Sequence, residues 1–477
     1  MSNSSRRNFI KNASLAAASF YIVPRHVLGK GFQAPSDRLN IMGIGGGGKG
    51  YGDIMNSYNK GAENIVAIVD VDDRQAARAR AELPKANYYR DFRTALDKEG
   101  SNVDAVIVST PDHTHATIAM EAMRRSKHVY VQKPLTHDIY EARILAEKAR
   151  EMKVVTQMGN QGSSGDGVRK MIEWFDGGVI GKVNEVYVWT NRPVWPQGIP
   201  YPASGHEVPK ELDWDLWLGP AKYREYNPAL LPFKWRGWWD YGTGALGDMG
   251  CHLLDPPFKV LGIRDALDVE CSVGSVFLQD WTPEWIPEGC PPSSMVTLSY
   301  GPSDRNKSNV KLHWFDGGLR APHPDGIPSS EIIGDPDGSN GVILMGTKGI
   351  MTCGTYGMYP KVFKDGKQVP EEALPKAKLP RVERGDAGHN TQWVEACKAG
   401  FGKMEVSSPF DYAGPFTESV LMGNLAIRSY MLREGSGRNA KYIGRQKLLW
   451  DAANMRVTNF DAANQFVRRE YRQGWTL

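Results

Sequence analysis

The 477-residue chain is long for one domain, and its 41% hydrophobic and 23% charged residues are ordinary for a soluble globular protein, so two domains with separate cores are expected. The formal net charge of +4 is local: Arg6, Arg7, Lys11, Arg25 and Lys30 all precede the first acid, Asp37, and the chain beyond them is near neutral, which excludes a nucleic-acid footprint. No uninterrupted apolar run reaches the roughly 20 residues that a bilayer-crossing helix needs, so no stable membrane span is expected.

Residues 1–34 depart from that composition. Ser5-Arg6-Arg7-Asn8-Phe9-Ile10-Lys11 precedes a small apolar stretch from Ala13 to Val23, a pattern that resembles a twin-arginine export signal. The expected location is periplasmic or otherwise exported by that route. No lipobox cysteine follows the apolar stretch, so the exported form should be soluble.

The next segment, residues 35–158, alternates strand-like and helix-like runs. Leu39 to Gly43 enters a glycine-rich turn in which Gly45, Gly47 and Gly50 hold G-x-G-x-x-G register, and Tyr51 to Tyr58 forms the helix that leaves it. The first glycine permits a tight turn, the second admits backbone amides to a pyrophosphate, and the third lets helix and sheet approach. Asp70 lies twenty residues after Gly50 in the strand Ile65 to Val71, placed to accept hydrogen bonds from ribose hydroxyls and to repel a 2′-phosphate. NAD is therefore expected over NADP, with Arg74 on the following helix as the feature that keeps NADP open. Because twin-arginine export carries folded proteins and free NAD is scarce outside the cytoplasm, the cofactor should be tightly bound. Val103 to Ser109, His128 to Gln132 and Val154 to Met158 read as further strands; Asp73 to Leu83, His115 to Arg125 and Ile139 to Arg150 read as amphipathic helices. This alternation predicts a doubly wound parallel sheet, an α/β Rossmann domain, with ligands at the carboxyl ends of its strands.

Residues 159–477 change texture. Val168 to Phe175 reads as a helix, Gly177 to Lys182 as a turn, and Val183 to Trp189 as a strand with one wetter face. Arg192 to Lys234, rich in Pro and Trp, reads as a long structured loop over a site. Ser294 to Tyr300, Val310 to Phe315 and Gly341 to Met345 suggest antiparallel strands, so this second domain is expected to be α+β. No internal repeat or low-complexity segment is evident.

Three residues carry candidate chemistry. Lys133, in Val129-Tyr-Val-Gln-Lys-Pro-Leu, follows a buried strand at the sheet's carboxyl edge, where a nicotinamide should lie. Asp248 and His252 stand four residues apart and share a face if their segment is helical; an N-cap aspartate and a core histidine explain that spacing equally well. His113 and His115 form an H-x-H pair, but no third ligand is near, so no metal site is expected. Trp235, Arg236, Trp238, Trp239, Asp240 and Tyr241 cluster just before Asp248: aromatic faces suit sugar rings, Arg and Asp suit hydroxyls, and at least one of the tryptophans should be core. The cysteines, Cys251, Cys271, Cys290, Cys353 and Cys397, lack C-x-x-C spacing; export allows a disulfide, and the odd count leaves at least one free thiol.

Taken in order, Gly45-x-Gly47-x-x-Gly50, Asp70, Ser109-Thr-Pro-Asp-His-Thr-His115, Gln132-Lys133-Pro134 and Asp248-x-x-x-His252 resemble the glucose-fructose oxidoreductase, inositol dehydrogenase and rhizopine-catabolism (Gfo/Idh/MocA) family. The resemblance implies a second domain with a large open, mostly antiparallel sheet that covers the nicotinamide and often forms a homo-oligomer interface. It implies Lys133, Asp248 and His252 acting on a sugar or polyol hydroxyl, and cofactor contacts from Ser109, Thr110, Pro111, His115, Gln132 and Lys133. One departure stands out: the family commonly has Glu-Lys-Pro where this chain has Gln132-Lys133-Pro134, so the lysine loses an anionic neighbour.

The expected chemistry is hydride transfer from a hydroxyl of a sugar, polyol or glycoside to NAD. His252 is the expected general base, Asp248 the group that orients its ring or binds a neighbouring hydroxyl, and Lys133 the stabiliser of developing alkoxide. Two alternatives stand beside it. One is a redox-neutral lyase or glycosidase working through a 3-keto intermediate, with Tyr241 as a guess for the extra acid or base; the other is a non-catalytic sugar- or nucleotide-binding protein, to which only Gln132 points.

Overall fold

The computed structural model describes residues 37–477; the segment that resembles an export signal lies outside the described residues. Leu39–Leu477 forms one compact unit.

Its first part is built as β1 (Asn40–Ile44), α1 (Gly48–Tyr58), β2 (Asn64–Val69), α2 (Asp73–Glu82), β3 (Asn87–Tyr89), α3 (Phe92–Glu99), β4 (Ala105–Val108), α4 (His115–Arg124), β5 (His128–Val131), α5 (Ile139–Met152) and β6 (Thr156–Met158). The six strands form a parallel sheet in the order β3-β2-β1-β4-β5-β6. Sequence periodicity finds five of these strands but not β3, a three-residue strand with no buried residue, nor α3 behind it. β4 shows why the central strands read as continuous apolar runs: Val106 and Val108 pack into one core, Ala105 and Ile107 into the other. Capping fixes where the helices begin. Asp72 and Asp91 accept from the amides of Arg74 and Arg93, and Asp138 and Glu141 form a reciprocal capping box at the start of α5.

The chain continues through α6 (Asp166–Asp176), β7 (Val183–Trp189), α7 (Trp214–Leu218), α8 (Gly244–Leu253), α9 (Asp255–Leu261), β8 (Ala266–Val273), β9 (Ser294–Tyr300), β10 (Val310–Phe315), β11 (Gly341–Gly346), β12 (Gly349–Cys353), β13 (Lys361–Lys364) and β14 (Lys367–Gln368). It closes with α10 (His389–Ala399), α11 (Phe410–Tyr430), a short hairpin of β15 (Arg433–Glu434) and β16 (Lys441–Tyr442), then β17 (Leu448–Asp451) and β18 (Arg456–Val457). Ten strands form the second sheet in the order β14-β13-β12-β11-β7-β10-β9-β8-β17-β18; among them only β7 and β10 pair in parallel. The α+β fold with a large, mostly antiparallel sheet is thus present, and the Arg192 to Lys234 segment is a loop holding one five-residue helix, α7.

Two late helices tie the halves together. α10 brings Trp393 and Val394 onto the Rossmann face that carries Ile54 and Ala76, while α11 lies between α5 and the second sheet in one continuous core. Gly414 allows α11 to approach α5, since a Cβ there would stand 2.9 Å from the Ala146 methyl. All five cysteines are free thiols, so the disulfide that export would permit is not formed.

Candidate active site

Four strand ends open on one cavity of about 570 Å³. Gly45 and Gly47 enter it after β1, Asp70 after β2, Ser109, Thr110 and Pro111 after β4, and Gln132 and Lys133 after β5. α8 closes the far end with Met249, Asp248 and His252. A volume of this size suits a dinucleotide head with a small substrate beside it.

The glycine turn fits a dinucleotide. Gly45 has φ +89°, and a Cβ on it would stand 2.5 Å from the Ser109 carbonyl oxygen, so both conformation and space require glycine. Gly47 caps α1 without a side chain, which leaves the first-turn amides of Gly48 and Lys49 directed to the cavity end of the helix. Asp70 accepts from the amides of Gly46 (2.8 Å) and Asp72 (3.0 Å). Burial pushes its carboxyl up to about 6, against the pull of those two amides. Arg74 is closed on Asp72 through Nε (2.8 Å) and Nη2 (2.7 Å), so the cation that kept a 2′-phosphate open is committed elsewhere.

At the other end Lys133 Nζ donates to the Asp248 carboxylate (2.9 Å) and to the Asp248 carbonyl (2.7 Å). Arg236 Nε and Arg192 Nε stand 3.5 and 3.9 Å from the same carboxylate. Burial alone would raise Asp248, yet the charges of Lys133 and Arg236 outweigh it and hold the carboxyl at about 2. His252 is buried, and its Nδ1 has no hydrogen-bond partner among the described residues. Burial first, and the Lys133 charge second, hold this imidazole well below its usual pKa, so it is neutral near pH 7. The expectation that Asp248 orients the His252 ring is corrected: the carboxylate bonds Lys133, and His252 meets instead the Tyr356 ring edge-on, 4.7 Å between centroids and 90° between planes.

Tyr356 is the residue that pattern reading missed. It lines the cavity from the loop after β12 at φ +64°, a conformation rare for a tyrosine, and only the closed chain shows that it reaches α8. Arg192, which opens the long loop after β7, and Gln161 also line the cavity; the sequence marked that loop but singled out neither residue.

Six of the sequence candidates stand away from the cavity wall, and the first is Gly50, which packs under the turn where a Cβ would stand 2.0 Å from the Gly45 carbonyl oxygen. Trp235 and Arg236 line it, but Trp238 and Tyr241 are buried in an aromatic core with Trp214 and Trp217, because a hydrophobic cluster under the long loop needs the same residue types. The Tyr241 hydroxyl is hydrogen-bonded with Tyr201, which also removes it as the extra acid or base. Trp239 faces the opposite side toward Arg428, and Asp240 accepts from Arg224 Nε (2.7 Å). His115 is wedged between the carbonyls of Thr110 and Pro134, each at 2.8 Å, and so braces the two cofactor-side loops rather than touching the cavity. His113 binds the Trp217 carbonyl (2.9 Å), with burial lowering its pKa to about 3; among the described residues no group of three metal-ligating side chains occurs.

Gln132 keeps an anion close by. Its Nε2 donates to Asp53 (2.7 Å), which also accepts from Ser109 Oγ (3.0 Å) and pairs with Lys49. The carboxylate missing from the Gln132 position therefore stands one side chain further away, on α1.

Known proteins resemble this chain in sequence and in fold. Residues 38–160 match the family model described as "Oxidoreductase family, NAD-binding Rossmann fold", and residues 183–280 match "Oxidoreductase family, C-terminal alpha/beta domain" of the same family. The scyllo-inositol 2-dehydrogenase (NAD(+)) of Bacillus subtilis (strain 168) is 30% identical over 122 residues, 26% of this chain and 35% of that one. A glycosyl hydrolase family 109 protein of Shewanella sp. (strain W3-18-1) is 28% identical over 186 residues, 34% of this chain and 40% of that one. The match thus spans less than half the length of both curated relatives. A levoglucosan dehydrogenase solved with NADH and L-sorbose shares the fold at TM-score 0.54 and 17% identity, covering 82% of this chain and 97% of that one. An NAD-binding Rossmann domain and its companion C-terminal domain are thus matched in chain order, and residues 38–160 and 183–280 carry the two domain signatures of the Gfo/Idh/MocA oxidoreductase family.

Proposed function

We propose that this protein is an exported NAD-dependent oxidoreductase that oxidises a hydroxyl of a sugar, polyol or glycoside by hydride transfer. The observation that carries the reading is that Lys133, Asp248 and His252 converge at one end of the cavity whose other end is the glycine turn and Asp70. Gly45, Gly47, the α1 amides and Asp70 would hold NAD, which supplies the hydride acceptor. Lys133, aimed by its two bonds to Asp248, presents an ammonium to the hydroxyl oxygen and favours its alkoxide. Neutral His252, four residues along α8 from Asp248, takes the hydroxyl proton. Export rests on the Arg6-Arg7 pattern, and replacing both arginines by lysine should retain the protein in the cytoplasm on cell fractionation. Assembly with a second copy through the open sheet is supported by exposed Leu267, Met295 and Leu449 on three strands of that sheet, and light scattering reads it.

Redox-neutral elimination through a 3-keto intermediate is the second reading. It is favoured by Tyr356, a further proton-carrying side chain on the cavity wall against His252, and by the likeness to a glycosyl hydrolase family 109 protein. Incubation of the full-length protein with NAD and a panel of glycosides in deuterated water separates the two. Stoichiometric NADH or ketosugar establishes simple oxidation; deuterium at C2 with aglycone release and no net NADH establishes elimination. Bound NAD with neither outcome across the panel would remove both.

A further inference from the structure

The catalytic end of the cavity carries more positive charge than its own carboxylates use. Lys133, Arg192 and Arg236 surround it, and two carboxylates, Asp248 and Asp112, face them. Asp112 already accepts from Thr243 Oγ1 at 2.6 Å. The two guanidinium groups are not closed on Asp248 either, since their Nε atoms stand 3.5 and 3.9 Å from it. Elsewhere this chain closes such forks fully: Arg143 places Nε and Nη2 on Glu418 at 2.6 Å each, and Arg74 grips Asp72 with both. A partly desolvated guanidinium without a bidentate partner, open to a cavity, is suited to an incoming carboxylate.

Arg236 is also held in plane. Its guanidinium carbon lies 4.2 Å from the Trp235 ring centre and 4.6 Å from that of Phe233, and Nη1 donates to the Phe233 carbonyl (3.1 Å), leaving Nη2 free to bond a ligand. Arg192 is oriented by Asn191, so both forks are placed before any ligand arrives.

We infer that the substrate is an anionic sugar, a pyranoside bearing a carboxylate, and that Arg192 and Arg236 form the subsite for that carboxylate while Lys133 and His252 face the hydroxyl to be oxidised. The inference rests on the sugar-oxidation reading above. Asp248 then has a second role: it divides the Lys133 ammonium from the guanidinium pair, so that the substrate's carboxylate is drawn to the arginines and its hydroxyl to the lysine.

The test uses full-length, NAD-loaded protein and methyl pyranosides of gluco, galacto and manno configuration, each as the neutral glycoside, the C6 carboxylate and the 6-sulfate. Binding is read by calorimetry and turnover by NADH absorbance. At least one carboxylate is expected to bind about tenfold or more tightly than its neutral counterpart, an advantage that shrinks as salt is added. Arg192→Gln and Arg236→Gln should each weaken that carboxylate about 10- to 100-fold more than they weaken its neutral counterpart. Arg192→Lys and Arg236→Lys, which keep charge without the fork, should recover only part, and unchanged NAD affinity shows that the variants are folded. Equal or tighter binding of the neutral glycoside throughout, no binding of any carboxylate at millimolar concentration, or a preference for the 6-sulfate overturns the inference. NADH formed from neutral sugars without acid preference overturns it while the oxidation reading stands; selective carboxylate binding with no NADH from any sugar keeps the subsite and counts against oxidation.

Discussion

In the proposed reaction Lys133 and His252 take different parts because their surroundings differ. Asp248 gives Lys133 a carboxylate partner at 2.9 Å, whereas burial and the Lys133 charge keep the His252 imidazole neutral. Lys133→Ala and His252→Ala should each lose about 100-fold or more in kcat, the usual scale for such groups, with NAD affinity retained; stopped-flow NADH formation checks it, and near-wild-type turnover in either removes that residue's role. Asp70 supplies a pH signature. Its carboxyl sits near 6, above the ordinary value, so in the cofactor-free protein it contributes stability that is present below pH 3.8 and lost as pH rises through about 6. NAD binding runs the other way, because ribose hydroxyls donate to the ionised carboxylate. Affinity for NAD should fall as pH drops through about 6, and Asp70→Asn should flatten that dependence in fluorescence titrations. Gln132 was legible as a departure, but not its remedy: Asp53, seventy-nine positions away, bonds its amide.

Among the elements, the β1–α1 turn is determined locally. Gly45 combines positive φ with a Cβ position only 2.5 Å from the Ser109 carbonyl oxygen, so Gly45→Ala should displace the turn and weaken NAD by about tenfold or more, readable by calorimetry. α8 illustrates the limit of such reading. Spacing places Asp248 and His252 one helical turn apart, but whether the pair is an N-cap and a core histidine or a cavity wall depends on what packs there, and that is Lys133 from the Rossmann sheet. α11 carries Pro415 in its interior, which leaves the Asp411 carbonyl without its helical donor. Arg264, from the loop before β8, donates to that oxygen at 2.9 Å.

Across the whole molecule, the two sheets are joined by segments far apart in the chain. Beyond α11, the tail returns to the Rossmann domain, where Arg469 bonds Glu141 through Nε (3.0 Å) and Nη2 (2.6 Å) and also bonds the His113 carbonyl (2.6 Å). Arg143 on α5 reaches Glu418 on α11 in the same way. Arg469→Met would leave Glu141, which is fully buried, without its cation, and should cost about 3–5 kcal/mol in urea unfolding; a change below about 1 kcal/mol would show that the tail is not holding the domain. The mutation is expected to lower the unfolding midpoint without altering which sugars bind.

The glycine register, Asp70, the alternating runs of the sheet and the spacing of Asp248 and His252 were determined by the sequence alone, because each depends on backbone conformation or periodicity within a few residues. The tertiary structure decided the rest. It chose which aromatics of the Trp235 to Tyr241 cluster are core, since residue type is the same for both fates, and it brought Tyr356, Arg192 and Asp53 to the site across long stretches of chain. The charge of the site belongs to that second class: a carboxylate, an ammonium and two guanidinium groups acquire their meaning only from the distances at which folding sets them, because electrostatic interaction depends on separation and burial, neither of which is a property of one residue.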